Sequence, residues 1–150
     1  MWTFTTAFLR AGLNQWSGSS TGAYTGVLHG LKVALIKAPF SATPDLVIGD
    51  VTLADYTGYA AQTVAFGPAY DDPTGQPTMA AVPALIFQPT DAMSPNTIYG
   101  HCLVNTGGTT LYGAEVFNAP FNLPDQFSQL NDTPIVQLNT GSNYGNSIVF

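Results

Sequence analysis

The sequence predicts a mainly β protein, an antiparallel β-sandwich-like domain with one short N-terminal helix, on three observations. Short runs rich in Val, Ile, Leu, Thr and Tyr alternate with Gly, Pro, Asn and Asp clusters, the pattern of strands and turns. Thr106-Gly107-Gly108-Thr109 separates two long apolar stretches, and Gly-Gly suits the positive φ angles of a tight hairpin. Helical spacing is confined to the start of the chain, where Phe4, Phe8, Leu9, Leu13 and Trp16 recur at three- and four-residue intervals.

Those residues share one face of the expected helix, which packs on its own domain or docks as an arm on a neighbour. Small and polar residues follow from Ser17, so residues 1–30 read as a helix or arm with a Gly/Ser-rich connector, and residues 31–150 as the β domain. Leu31 to Lys37 is a strand with its charges at the ends, stopped by Ala38-Pro39. Thr52 to Tyr56 and Gly58 to Phe66 read as extended, and Asp71-Asp72-Pro73-Thr74-Gly75 as a turn. Met79 to Phe87 is an apolar run containing Pro83, which places it at an edge or gives it a bulge, because proline donates nothing to a ladder.

Thr97 to Asn105 and Thr110 to Phe117 form the hairpin. Centring it on Gly107-Gly108 sets Val104 opposite Leu111, Cys102 opposite Gly113, Gly100 opposite Glu115 and His101 opposite Ala114. Both faces are then largely apolar, so the hairpin is expected to be covered on both sides. Pro134 to Leu138 and Ser147 to Phe150 close the domain.

A chain of 150 residues fits one domain. Only 8% of its residues are charged, against about 25% in average soluble proteins, so much of the surface is neutral, as in surfaces that become subunit contacts. Three cations face nine anions, which leaves no basic stripe for phosphates and argues against nucleic-acid binding. The opening ten residues lack the basic segment and apolar run of a secretory signal, and read as mature sequence. No run approaches the roughly 18 apolar residues of a membrane helix. A soluble protein, or part of a soluble assembly, is expected.

No catalytic constellation emerges. Gly18-Ser19-Ser20-Thr21-Gly22 fits G-x-S-x-G, but without the strand and helix that give that motif its meaning. A triad would require His101 beside Ser20 and an orienting carboxylate, and nothing in the spacing unites them. Asp45, Asp50 and Asp55, with Asp71-Asp72, raise a calcium site, yet their spacing matches no EF-hand loop and turn roles account for them. Cys102, the single cysteine, is expected as a small buried hydrophobe. Glu115, the single glutamate, falls on an apolar face and needs a partner; Arg10 or Lys32 is the expected ion-pair partner, with Arg10 preferred. No metal and no cofactor are expected. Tyr56, Tyr59, Tyr70, Tyr99, Tyr112 and Tyr144 are packing residues or, in a carbohydrate-binding module, sugar platforms.

The order Leu31-Lys32-Val33-Ala34-Leu35-Ile36, Leu53-Ala54-Asp55-Tyr56-Thr57-Gly58-Tyr59-Ala60-Ala61, Asn96-Thr97-Ile98-Tyr99-Gly100 and Leu111-Tyr112-Gly113-Ala114-Glu115-Val116-Phe117 resembles a group of small virion structural proteins of tailed bacteriophages. The resemblance spans about residues 8 to 140, with His101 where an aromatic is usual. It implies a cement or decoration protein on the capsid surface, a homotrimer that binds the major capsid protein; Trp2, Phe4, Phe8 and Trp16 of the expected helix are the candidate contact residues, and with no catalytic constellation no enzymatic activity is expected. A tail or head–tail connector component is the alternative within virions, and a carbohydrate-binding β module the alternative outside them.

Overall fold

The computed structural model describes residues 3–4, 31–65, 70–71, 73, 77–81, 83–91 and 96–137. Its strands are β1 (Thr3–Phe4), β2 (Lys32–Ile36), β3 (Gln62–Thr63), β4 (Tyr70–Asp71), β5 (Pro77–Ala80), β6 (Leu85–Phe87), β7 (Asn96–Val104), β8 (Leu111–Leu123), β9 (Leu130–Asp132) and β10 (Ile135–Gln137), with one 3-10 turn at Ile48–Asp50. All pairings are antiparallel, and the fold is mainly β, as the sequence predicts. A five-stranded sheet runs β1-β8-β7-β2-β3, a three-stranded sheet β10-β5-β4, and β6 pairs with β9 in a separate ribbon. Among the described residues no helix is long and apolar enough to cross a membrane.

The centre of the large sheet is buried on both faces, because successive side chains of a strand point opposite ways and both sets are covered. Val33, Leu35 and Leu103 join Tyr56, Leu85, Phe87 and Leu130 in one core, under the β6–β9 ribbon. Ala34, Ile36, Cys102 and Ala114 join Leu46 in the other, against Phe40, Ile48, Val51 and Leu53 of the segment after β2. The β2 residues Val33, Ala34, Leu35 and Ile36 are fully buried, which explains why their stretch is continuously apolar instead of alternating.

Local chemistry shortens or divides several expected strands. Gly58 adopts φ 84° in a turn closed by Tyr59 N donating to Tyr56 O at 2.9 Å. The extended stretches expected around it therefore reduce to an Ile36–Leu53 bridge and to β3. Pro83 splits the Met79-to-Phe87 run into β5 and β6, which belong to different sheets, instead of leaving one edge or bulged strand. At the N terminus Thr3 and Phe4 pair with Ala114 and Gly113, so Phe4 extends the sheet rather than opening a helix. The rest of the expected helix and the connector, residues 5–30, and the closing strand at 147–150 lie outside the described residues.

The hairpin centre is where Gly107-Gly108 predicts it, with Val104 opposite Leu111. Asn105 braces the loop: its backbone N donates to Thr110 O at 3.0 Å, and its Oδ1 accepts from Thr109 N at 2.8 Å and Thr110 N at 3.1 Å. Gly108 takes the positive φ of 69°. The register then slips, because Leu103 pairs with Gly113, leaving Tyr112 as an extra residue on β8. His101 consequently faces Glu115, Cys102 faces Ala114 and Gly100 faces Val116, one position away from the simple hairpin count. A second irregularity sets six residues of β8, Val116 to Phe121, against three of β7, Ile98 to Gly100. It contains Pro120, which has no N–H for the ladder.

Candidate functional site: a histidine between two carboxylates

Where Leu35, His101 and Glu115 lie side by side across β2, β7 and β8, the sheet carries a charged group inside its core. The Tyr112 bulge is what brings Glu115 beside His101. Asp132 arrives from β9, set in the ribbon opposite Leu85. His101 Nδ1 lies 2.5 Å from Asp132 Oδ2, and Nε2 lies 3.3 Å from Glu115 Oε2. The Phe117 ring meets the imidazole edge-on, with centroids 5.1 Å apart. The side chains of His101 and Asp132 are 4% and 10% exposed, while Glu115 at 28% borders solvent.

A carboxylate only accepts hydrogen bonds, so both contacts are made together when both ring nitrogens carry protons, that is, as imidazolium. Burial works against that charge, but the hydrogen bonds to Asp132 and Glu115 and their charges together outweigh it and raise the imidazole above its ordinary 6.5. The hydrogen bond to His101 holds the Glu115 carboxyl below its ordinary 4.5, against the opposing effect of burial. With both nitrogens facing carboxylates, the ring offers no lone pair to a metal and no base to a hydroxyl. Among the described residues no group of three His, Cys, Asp or Glu side chains is arranged to hold a metal ion. The chemistry of the cluster is therefore to hold a proton and tie β9 to the sheet.

Glu115 thus pairs with His101; its expected partner Arg10 lies outside the described residues, and Lys32 stands in the Val104 row instead. Residues Trp2, Phe8 and Trp16 and the G-x-S-x-G stretch with Ser20 also lie outside them, and Phe4 is placed in β1. Cys102 is fully buried and its thiol is pushed up to about 12 by burial, which makes it an inert core residue. Asp50 accepts from Val47 N at 3.0 Å in the 3-10 turn, and Asp55 pairs with Lys37, whose hydrogen bond lowers its pKa. Tyr56 and Tyr59 are core aromatics, in edge contact at 5.1 Å, and the Tyr59 hydroxyl accepts from Leu35 N at 2.8 Å. Neither is a sugar platform.

The sequence reading missed Asp132 and the role of His101. The available signal was His101 itself, a titratable residue between Gly100 and Cys102 in a strand apolar on both faces, which demands an acidic partner. It also missed Phe127, 82% exposed on a turn held by its neighbours. Asp125 Oδ1 accepts from Phe127 N at 2.9 Å and from Ser128 Oγ at 3.1 Å, and Gln88 Nε2 donates to Gln126 O at 2.5 Å. No family model, curated protein or solved structure matches the chain.

Proposed function

We propose that this chain is a non-enzymatic cement protein of a tailed-bacteriophage head, a trimeric β domain that binds the major capsid protein on the capsid surface and strengthens the shell. The resemblance of its strand motifs to small virion proteins supplies the class. The observation that carries a binding role is Phe127, presented almost fully to solvent on a turn braced by Asp125 and Gln88. An aromatic carried on a backbone fixed before contact loses less freedom on docking, and aromatic residues are prominent in interface energetics. The buried His101 cluster supports the non-enzymatic part, since its hydrogen-bonding nitrogens are committed to Asp132 and Glu115. Phe127 joins Trp2, Phe4, Phe8 and Trp16 as a candidate contact.

Quantitative mass spectrometry of purified virions tests the proposal. Copy numbers in the hundreds, in a simple ratio to the major capsid protein, are expected, and Phe127→Ala is expected to lower occupancy. A handful of copies would move the chain to the tail or head–tail connector. Absence from the particle would overturn the virion reading and leave a carbohydrate-binding module, which a glycan array would identify.

A further inference from the structure

The β6–β9 ribbon is the part of the described fold least able to stand alone. Its ladder is three residues per strand, Leu85–Asp132, Ile86–Asn131 and Phe87–Leu130, and isolated two-stranded ribbons are marginal in water. It is held on the large sheet by burial of Leu85, Phe87 and Leu130, by Gln62 Nε2 of β3 donating to Ile86 O, and by the contact of Asp132 with His101. We propose that His101 is a proton-operated latch between the five-stranded sheet and this ribbon, closed as imidazolium and loosened when that proton leaves.

The geometry sets the direction. Among the described residues the charged groups facing the imidazole are Glu115 from β8 and Asp132 from β9, while Leu35 from β2 and the Phe117 ring are apolar or aromatic neighbours; the N-terminal amine acts on Glu115 in turn and also favours its charged form. Loss of the proton leaves one N–H for two carboxylates and removes the positive charge that offsets the nearly buried Asp132, so the tie weakens whichever ring nitrogen keeps its hydrogen. Glu115 borders solvent and remains hydrated, whereas Asp132 is nearly buried and becomes fully hydrated when the ribbon lifts. The folded imidazole keeps its proton to higher pH than an unfolded histidine, so its contribution is full below 6.5 and is lost as pH rises through the folded value. Glu115 acts at the other end: its contribution is full above 4.5 and is lost as pH falls through its lowered folded value. The latch is closed between these limits, and opening uncovers Leu85, Phe87 and Leu130.

Nuclear magnetic resonance on the full chain tests the latch, by imidazole titration and by amide exchange corrected for the pH dependence of the intrinsic rate. Both ring nitrogens are expected to be protonated at pH 6.5 and the ring to titrate above that value. Across the titration the amides of Leu85–Phe87 and Leu130–Asp132 should lose protection while those of Val33–Leu35 keep theirs. Asp132→Asn should move the titration downward, and His101→Gln should abolish the pH-dependent change in ribbon protection. A midpoint at or below 6.5, or simultaneous loss of protection in ribbon and β2, would overturn the proposal. The wild-type titration decides the matter even if His101→Gln fails to fold.

Discussion

The two faces of the five-stranded sheet are built from alternate residues of the same strands, yet they are held by different physics. On one face the side chains of Ala34, Ile36, Cys102, Val104 and Ala114 meet Leu46 and the residues around it through apolar contact. On the other, Val33, Leu35 and Leu103 lie beside His101, whose ring ties Glu115 in the sheet to Asp132 in the ribbon. Apolar contact is non-directional and tolerates rearrangement of equal volume. A buried charge with two hydrogen-bonded partners has few acceptable positions, and it locates β9 relative to β7. One face supplies burial, and the other adds a position.

That contrast can be broken most severely at His101. His101→Ala strands two carboxylates, one of them nearly buried, and is expected to destabilise the fold by about 3–5 kcal/mol in denaturant titration, the usual result of removing one partner of a buried pair. The combined change His101→Leu, Asp132→Leu and Glu115→Gln makes the two faces alike. It should recover most of that loss near neutral pH and abolish the dependence on the imidazole proton, whereas a triple variant as unstable as His101→Ala would show that the tie is needed for stability and not only for position.

The apolar face has its own tight point at Gly100. A Cβ there would lie 2.1 Å from the Glu115 carbonyl oxygen and 2.8 Å from Phe40 Cε1, and the first of these is backbone that a side-chain rotation cannot clear. Gly100→Ala is expected to cost about 3 kcal/mol by forcing β7 and β8 apart. A loss below about 1 kcal/mol would mean that the pair separates easily there.

Smaller effects sharpen the contrast. Cys102→Ser places a hydroxyl in the face held by apolar contact and should cost about 1–3 kcal/mol, while the native thiol should resist thiol reagents until the protein unfolds. At the hairpin tip, Gly108→Ala meets no atom within 4 Å but must hold φ 69°, so it should cost about 1 kcal/mol in melting experiments and leave both faces intact.

The hairpin was legible because Gly107-Gly108 is a local signal and the flanking strands are apolar at successive positions. Both faces being covered followed from the same residues. The Tyr112 bulge was not legible, since an extra residue leaves no mark on composition or spacing, and a shift of one position moved Glu115 from Gly100 to His101. Pro83 marked its run as an edge or bulged strand, but nothing local showed that the halves on either side enter different sheets. Asp132 was invisible as a partner because Leu130-Asn131-Asp132 carries no pattern, and the aspartate is 31 residues from the histidine it meets.

By itself the sequence determined the class of fold, the place of β2, the centre of the β7–β8 hairpin and the scarcity of charge on the surface. These depend on interactions between neighbours in the chain or on bulk composition, and both are written locally. The tertiary structure alone decided which acid meets His101 and where the ribbon sits. Those depend on a bulge and on strand pairing across long separations, where a displacement of one residue exchanges the two faces of a strand.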